Sequence, residues 1–485
     1  MKRLIVIVFI IFGAFLTLCL YRTYAYDTSV VEEVPSTTDL EYTFKIGNSS
    51  IKQIMVDSGE TKYYDIVLGN PNNAKISYSV YYEMVSPSTK PDDYKIEYTS
   101  KSTGNSTGIV NNNGNITLNI VVTNTSSSAV TVKLGTVAGY VKGGELTLNS
   151  GQEVIPKQTF PKANIYVESL DDGTSGDSGS GVYKVTHNAI TSVSSATGST
   201  IPATTDYRYY GASPNNYICL DMEGSSTCPD KHLYRIIGSI YEEKENTNRI
   251  KVIKSTPLTD GTTSKFSWDY KSDGTCDNIW ATVTSGKYSN SLTSGSQLMK
   301  LLNSGAWWNG TSGSYYNNST TATTVNFTDY KLSDKAKSYV TISRYYLGGD
   351  DTSDVNTRTL YSYERNTLRY DTSRPLYWDG NVGLMYPSDF GYAAGNKCAI
   401  GTDLLKYNEV CKNNNWLTDT SNYQWLLSPN SYYYYCVFLL YPSGSVNVYD
   451  SIKSARAVRP TFYLSKDVVI TGGTGTELDP YLISK

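Results

Sequence analysis

Short stretches of alternating apolar and polar residues follow one another through the first third of the chain. Between residues 40 and 135 they read LEYTFKIG, IKQIMVD, TKYYDIVLG, AKISYSVYYEMV, YKIEYTS, NITLNIVVTN and AVTVKLG. A period of two with many β-branched and aromatic residues is typical of β-strands, and turn sequences such as GNPNN separate them. The pattern predicts an all-β, immunoglobulin-like sandwich over residues 39–167. Because the sequence there clusters no histidines, carboxylates or nucleophiles, we expect this domain to act as a stalk.

A segment rich in glycine, serine and aspartate interrupts the chain at residues 168–182. Such a composition is typical of a flexible linker, so this segment is predicted to separate two domains. All seven tryptophans lie beyond it, where helical and strand patterns are mixed. HLYRIIGSI and NRIKVIKS favour a hairpin, and SGSQLMKLLNS favours a short helix with a serine cap. Residues 183–485 are therefore predicted to form an α+β domain.

The N-terminus carries the pattern of an export segment. Two basic residues precede the apolar run from Leu4 to Leu20, and Thr23 and Ala25 offer the small residues of a signal-peptidase site. The length of the run lies between the core of a signal peptide and a membrane-spanning helix. Residues 1–25 are therefore predicted to be either a cleaved signal peptide or a retained membrane anchor, and the rest of the chain is predicted to be extracellular.

Beyond this segment the chain has six cysteines, an even number at short spacings that is typical of disulfides in an exported protein. The predicted local pairs are Cys219–Cys228 and Cys398–Cys411. Cys276 and Cys436 could pair with each other or could both remain thiols. With two histidines and no CxxC pair in the chain, no zinc site is expected.

Composition argues against several classes of function. The net charge is −3 and no basic stripe is present, which argues against nucleic-acid binding. His187 and His232 are the available catalytic bases, yet the sequence has no GxSxG elbow, HExxH pair or Walker loop. We therefore expect no enzymatic activity and no cofactor. The acidic clusters at residues 171–177 and 350–354 lack the EF-hand spacing, so we interpret them as solvated loops rather than calcium sites.

Several motifs follow one another in the C-terminal region. VGLMYPSDFGYAAG precedes QWLLSP, and YPSGSVNVYDSIKSARAVRPTFYLS and GGTGTELDPYLI come after it. Together they resemble bacterial surface and phage-associated proteins with a C-type-lectin-like C-terminal domain, from Tyr207 onward. The resemblance implies a ligand-binding head whose frame includes Trp425 and Arg459. Calcium-dependent sugar binding is not implied, because Ser-Pro-Asn at residues 428–430 replaces the usual Glu-Pro-Asn or Gln-Pro-Asp.

One branch of this fold class is the variable proteins of diversity-generating retroelements, in which error-prone reverse transcription randomises adenines, commonly in AAY codons. Residues 430–452 contain only amino acids that such codons can reach. The resemblance therefore implies that this stretch is a ligand-binding face and can be diversified. Tyrosine suits such a face because it supplies a wide amphipathic contact area with few rotamers to freeze. The predicted contact residues are Asn430, Ser431, Tyr432, Tyr433, Tyr434, Tyr435, Tyr441, Asn447, Tyr449 and Asp450.

Strand alternation makes a further prediction for the run YCVFLLY. Val437, Leu439 and Tyr441 should lie on one face and Phe438 and Leu440 on the other, with one set packed and the other exposed. The resulting hypothesis is an exported recognition protein that binds a protein or glycan on another cell, phage or host surface. It would also contact the membrane if residues 1–25 are retained. The alternative is a structural surface protein, a pilus or matrix subunit in which the tyrosines pack against neighbouring copies.

Overall fold

The computed structural model describes residues 43–46, 53–91, 93–99, 101–141, 146–190, 201–277, 279–280, 295–366 and 375–485. The chain divides into an N-terminal unit that ends at Thr159 and a C-terminal unit that begins at Phe160. The predicted export segment, residues 1–25, lies outside the described residues. Among the residues that are described, no helix has the length and apolar character needed to cross a membrane.

The N-terminal unit is built mainly from strands. They are β1 (Thr43–Ile46), β2 (Gln53–Val56), β3 (Glu60–Gly69), β4 (Ile76–Ser86), β5 (Tyr94–Tyr98), β6 (Thr107–Val110), β7 (Asn115–Asn124), β8 (Val130–Tyr140) and β9 (Gln152–Val154). One sheet has the order β1–β3–β7–β5, and another has the order β2–β8–β4–β6 with β9 beside β4. Neighbouring strands are antiparallel throughout the described pairs, so the all-β prediction for this region is confirmed.

Alternation along the strands decides which side chains fill the space between these sheets. Ile66 of β3 and Leu118 of β7 come from one sheet, Val80 of β4 and Val132 of β8 come from the other, and all are fully buried in one core. Burying an aliphatic side chain of this size stabilises a fold by about 1.5–3 kcal/mol. Tyr63 in β3 has 76% of its surface exposed and lies outside that core. The unit is therefore a β-sandwich.

The C-terminal unit combines short helices with many strands. Its helices are α1 (Ala163–Glu168), α2 (Gln297–Asn303), α3 (Ala306–Asn309), α4 (Asp334–Tyr339), α5 (Thr357–Asn366), α6 (Pro387–Tyr392), α7 (Asn396–Gly401) and α8 (Glu409–Asn413). Its strands are β10 (Gly181–His187), β11 (Thr204–Tyr210), β12 (Tyr217–Cys219), β13 (Leu233–Glu242), β14 (Thr247–Lys254), β15 (Phe266–Ser267), β16 (Ser312–Tyr315), β17 (Thr323–Asn326), β18 (Ser343–Tyr346), β19 (Tyr377–Gly380), β20 (Gln424–Pro429), β21 (Cys436–Leu440), β22 (Val446–Ser451), β23 (Ala455–Arg456), β24 (Thr461–Tyr463), β25 (Val469–Gly472) and β26 (Tyr481–Ser484). The mixture of element types agrees with the α+β prediction.

A large sheet in this unit has the order β10–β11–β13–β12–β26–β25, and β14 joins β13 to β24. The predicted hairpin is confirmed, since β13 and β14 pair antiparallel up to Glu242 and Thr247. A smaller sheet, β20–β21–β22, carries the tyrosine-rich stretch. The core of the unit is rich in aromatic rings: the Trp268 ring lies 5.1 Å from the Trp280 ring and 6.1 Å from the Trp425 ring.

The predicted linker at residues 168–182 does not separate the two units. The division falls between Thr159 and Phe160, and α1 already belongs to the C-terminal unit. Ala163 and Val167 of this helix are 2% and 0% exposed in the C-terminal core. The predicted position of the domain boundary was therefore wrong. The short helix α1 precedes the glycine-rich segment in sequence, but its apolar side chains pack with residues that follow that segment.

The glycine-rich segment itself is held against the C-terminal unit. The Tyr210 hydroxyl donates to Asp172 Oδ2 at 2.9 Å, and Asp172 N donates to Val182 O at 3.2 Å. Gly176 has a φ of +70°, and a Cβ at this position would lie 2.7 Å from the Tyr183 ring. Glycine and aspartate here build tight turns on a folded surface, which is the physical reason that their abundance does not produce a flexible spacer.

Both predicted disulfides are confirmed. Their Cα atoms lie 5.8 Å apart in Cys219–Cys228 and 5.7 Å apart in Cys398–Cys411. The first bridge connects the end of β12 to the loop before β13, and the second connects α7 to α8. Closing loops this short stabilises the fold by about 2–3 kcal/mol each through the unfolded chain. Among the described residues, Cys276 and Cys436 lie outside the bridges.

Candidate functional site

The tyrosine-rich stretch begins in a loop and continues into a buried strand. Strand β21 pairs with β20 on one side and β22 on the other, and every residue from Cys436 to Leu440 is buried. The prediction that either Val437 and Leu439 or Phe438 and Leu440 would be exposed is wrong, because this central strand is covered on both faces. The apolar run is therefore core, and its side chains are not available to a ligand.

The residues just before β21 form an exposed group of rings, which we call the tyrosine loop (residues 431–435). Tyr432, Tyr434 and Tyr435 are 44%, 59% and 41% exposed, while Tyr433 is half-buried. Ring centroids lie 4.6 Å apart in Tyr432–Tyr433 and 5.2 Å apart in Tyr434–Tyr435, both edge to face. This is the favourable geometry for aromatic pairs, so the exposed rings support one another.

Asn430 holds this loop from inside the protein. Its Oδ1 accepts hydrogen bonds from Tyr432 N and Tyr433 N, both at 2.7 Å, and its Nδ2 donates to Val448 O at 3.1 Å. The asparagine is only 1% exposed, so its assignment as a contact residue was wrong. An asparagine side chain that binds the backbone two and three residues ahead is a turn-forming arrangement. Asn430 therefore fixes the loop that displays the tyrosines.

Further backbone contacts fix both ends of the tyrosine loop. Ser431, which is half-buried, donates its N–H to Asp350 O at 3.1 Å. Tyr435 O accepts from Ile452 N at 3.1 Å, which places the end of the loop beside β22. Asp350 belongs to one of the acidic clusters noted in the sequence, and it is 1% exposed rather than solvated. That interpretation of Asp350 was therefore wrong, since the residue lies beneath the loop.

The hairpin between β21 and β22 turns at the end of β21 opposite to the tyrosine loop and carries a second group of side chains. Tyr441 N donates to Ser445 O at 2.9 Å, and Gly444 has a φ of +76° that suits the tight turn. Tyr441 is half-buried, and its ring lies edge to face with Tyr423 at 5.0 Å. Burial raises the pKa of Tyr441 above its ordinary value, so this ring presents a neutral hydroxyl at physiological pH.

Asp450 forms a bidentate ion pair with Arg456. Arg456 Nε and Nη2 donate to the two carboxylate oxygens at 2.6 and 3.1 Å, and the guanidinium lies 5.1 Å from the centre of the Tyr423 ring. The hydrogen bond to Asp450 raises the pKa of Arg456 above its ordinary value. Sequence reasoning found Asp450 but missed Arg456 and Tyr423, because the pairing depends on a turn between strands. Asp450 pairs in register with Val437 at the loop end of β21, and its contacts continue through Arg456 and Tyr423 to Tyr441 at the hairpin end. We call the tyrosine loop together with this series of four residues the recognition face.

The remaining predicted contact residues lie on β22. Asn447 is half-buried and pairs in register with Leu439. The backbone of Tyr449 belongs to β22, whereas its side chain lies outside the described residues. Nearby, burial followed by the charge of Asp450 raises the pKa of Cys436 to about 11, so this thiol stays protonated at neutral pH.

Groups of metal-ligating type come together elsewhere, at Asp221, Glu223 and His232. Their ligand atoms lie within 4.8 Å of one another, and His232 Nε2 lies 3.1 Å from Glu223 Oε1. Lys231 Nζ lies 2.9 Å from Glu223 and Lys335 Nζ lies 3.3 Å from Asp221. Because these ammonium groups already balance the carboxylates, we assign no metal to this cluster. His232 is fully buried.

Comparisons with known proteins add little to this geometry. No protein-family model matches the chain, and no curated protein matches it. A solved structure, the ASH / PapD-like domain of human CEP192 (PapD-like domain 7), matches with 13% identity over 22% of this chain and 89% of that domain. Its TM-score is 0.14, so this likeness carries no argument about function.

Proposed function

We propose that the C-terminal unit is the recognition domain of an exported protein, and that the recognition face binds a protein or glycan on another surface. The observation that carries the proposal is the contrast in solvent exposure within residues 430–435. Three tyrosine rings are exposed, while the residue that fixes their backbone, Asn430, is buried. Rigid, exposed tyrosines are characteristic of binding surfaces, because they bury a large area at a small cost in side-chain entropy.

The charged pair beside the loop adds directional polar groups to this aromatic surface. Arg456 and Asp450 are partly exposed, and each is fixed by the bidentate contact to the other. Tyrosine and arginine are the residue types that most often dominate binding energy at protein interfaces. We therefore place the centre of the binding surface at Tyr432, Tyr434 and Tyr435, with Arg456 and Tyr423 at its edge.

The proposed scaffold is C-type-lectin-like, and the support for it is the order of motifs around Trp425 and Arg459. Both residues are buried and hydrogen-bonded: Trp425 Nε1 donates to Phe266 O at 2.7 Å, and Arg459 Nε donates to Lys254 O at 2.7 Å. Side chains held in this way can form the fixed frame that a variable surface needs.

Diversification by a retroelement is part of the same proposal, with a limit set by burial. Within residues 430–452, Val437–Leu440 are fully buried, and truncating a large core side chain costs about 2–5 kcal/mol. We therefore exclude residues 437–440 and the buried Asn430 from the diversified positions, which leaves the tyrosine loop, Tyr441, Asn447, Tyr449 and Asp450. The neighbouring DNA should contain a near-copy of these codons that differs only at adenines, beside a reverse-transcriptase gene. A genome with no such copy would exclude diversification while leaving a fixed binding head.

The binding proposal is tested with the full chain immobilised and probed with a phage-displayed peptide library and a glycan array. Probes selected on the wild type are then measured on a triple variant, Tyr432→Ser, Tyr434→Ser and Tyr435→Ser. Each central anchor should contribute about 2 kcal/mol, so the triple variant should lose probe binding by more than about a hundredfold. The matched control is Tyr63→Ser, which replaces an exposed tyrosine of the N-terminal unit and should bind as the wild type does.

The same variants separate recognition from assembly. Sedimentation of the wild type should show a monomer across the concentrations used for binding. A wild type that self-associates, and that the triple tyrosine variant makes monomeric, would overturn the recognition proposal in favour of a structural subunit.

A further inference from the structure

A cavity lies in the C-terminal unit, between the end of β10 and helix α5. It encloses about 420 Å³, within the range of about 300–1,000 Å³ that is usual for small-molecule sites. His187 contributes to one wall, and Arg358, Tyr361 and Ser362 of α5 contribute to the other. The α5 residues share one helix face, because positions three and four apart are neighbours on a helix. None of these residues belongs to the recognition face.

The imidazole of His187 is fixed in position and in tautomer. Its Nε2 lies 2.8 Å from Asp206 Oδ2, and its ring stacks on the Tyr361 ring at 3.7 Å with an angle of 6° between the planes. Burial opposes ionisation of Asp206, but Arg208 and His187 outweigh it and hold the pKa of Asp206 well below its ordinary value. An ionised Asp206 accepts a hydrogen bond from Nε2–H, which leaves Nδ1 as the hydrogen-bond acceptor of the neutral ring.

Burial also keeps this imidazole neutral. It lowers the pKa of His187 below its ordinary value, even though Asp206 acts in the opposite direction. Among the side chains that line the cavity, the neutral His187 offers an acceptor, whereas Asn188, Thr186 and Ser362 offer amide and hydroxyl groups. Such a wall matches a ligand that carries several hydroxyl groups.

A network of buried charges stands behind the histidine. Arg208 bridges Asp206 and Asp389, with donor–acceptor distances of 2.8 and 2.9 Å, and Lys251 Nζ donates to Asp389 at 2.6 Å. The Arg365 guanidinium lies 3.3 Å from the centre of the Tyr361 ring. Ion pairs this deeply buried must be fully hydrogen-bonded to be tolerated, and together they hold the cavity wall rigid.

Arg358 is the charged group at the cavity mouth. It is exposed, and no aspartate or glutamate is among the described residues that line the cavity. The buried cations behind the wall, Arg208 and Lys251, are already paired with carboxylates. Among the described lining residues, the Arg358 guanidinium is therefore the cation that faces an incoming ligand. A planar guanidinium matches a carboxylate through two parallel hydrogen bonds.

We propose that this cavity binds a small hydroxylated carboxylic acid, with an acidic monosaccharide as the representative ligand. Its carboxylate binds to Arg358, one hydroxyl donates to His187 Nδ1, and the other hydroxyls bind to Asn188, Thr186 and Ser362. The C-terminal unit would then carry a small-molecule site between β10 and α5 in addition to the recognition face.

Calorimetric titration of the full chain with sodium glucuronate tests the proposal. Glucose, which lacks the carboxylate, and acetate, which lacks the hydroxyls, should each bind at least about tenfold more weakly than glucuronate. Arg358→Gln should weaken glucuronate binding by about tenfold or more. The matched control is Lys184→Gln, which removes an exposed positive charge from β10 outside the cavity lining and should leave the affinity within about twofold.

Several results would overturn the proposal. These are the absence of saturable glucuronate binding to the wild type, equal affinity for acetate, equal affinity for glucose, and equal losses in the Arg358 and Lys184 variants. Both substitutions are at exposed positions, so unfolding does not confuse the comparison. Because the triple tyrosine variant keeps the cavity, it should bind glucuronate as the wild type does, and this separates the present inference from the recognition face.

Discussion

Replacing Asn430 with alanine tests how the tyrosine loop is held in place. The substitution removes two acceptor contacts, to Tyr432 N and Tyr433 N, and one donor contact, to Val448 O. Each hydrogen bond contributes about 0.5–1.5 kcal/mol net, and a buried carbonyl left without its donor lies at the upper end of that range. Val448 is fully buried, whereas Tyr432 is 44% exposed and Tyr433 is half-buried. We therefore expect the C-terminal unit to lose about 2–3 kcal/mol of unfolding free energy.

Guanidinium unfolding followed by tryptophan fluorescence measures this change selectively, because all seven tryptophans lie in the C-terminal unit. The matched control is Asn422→Ala, which removes one partly buried hydrogen bond to Asp419 and should change stability by no more than about 0.5–1 kcal/mol. An Asn430→Ala protein as stable as this control would refute the argument that the buried amide holds the loop.

Three further predictions concern the network of buried charges, the two disulfide bridges and the export of the protein. Glu364 of α5 is fully buried, and its Oε2 lies 3.2 Å from Arg365 Nη1. Burial raises the pKa of Glu364 from 4.5 to about 7, so the folded protein keeps a proton that the unfolded chain releases. The stability that this group contributes therefore falls as the pH rises from about 4.5 to 7. The unfolding free energy of Glu364→Gln should gain up to about 3 kcal/mol relative to that of the wild type between pH 5 and 8. A difference between the two proteins that stays constant across this range would contradict the raised pKa of Glu364. Peptide mapping without reductant should recover Cys219–Cys228 and Cys398–Cys411, and free alkylation of these thiols in native protein would exclude both bridges. Protease treatment of intact cells should remove the C-terminal unit, and its protection in unbroken cells would contradict export.

Local patterns in the sequence predicted local structure well. The serine-capped helix SGSQLMKLLNS is α2, where Ser296 Oγ accepts from Met299 N at 3.1 Å. Caps, hairpins and short disulfide loops depend on residues close in the sequence, so their signals survive without knowledge of the fold.

Features that depend on distant residues could not be predicted in this way. The sequence of strand β21, CVFLL, does not alternate between apolar and polar residues, because this central strand is buried on both faces and needs apolar side chains on both. Only the strand order β20–β21–β22 shows that β21 is central. The Arg208–Asp389 contact joins residues 181 positions apart. Asn430 is ambiguous for the same reason: an asparagine beside four tyrosines suits a ligand surface, and only the position of Val448 O shows that its amide points inward.

The central claim is that the tyrosine loop serves binding while the residues beneath it serve folding. The most direct measurement compares the triple tyrosine variant with Trp425→Ala, recording both the unfolding free energy and the affinity for a probe selected on the wild type. The three exposed tyrosines should change stability by no more than about 0.5 kcal/mol each while probe binding is lost, whereas removal of the fully buried Trp425 should cost about 3–5 kcal/mol. A triple tyrosine variant that unfolds as readily as Trp425→Ala would show that the loop is core and would contradict the recognition account.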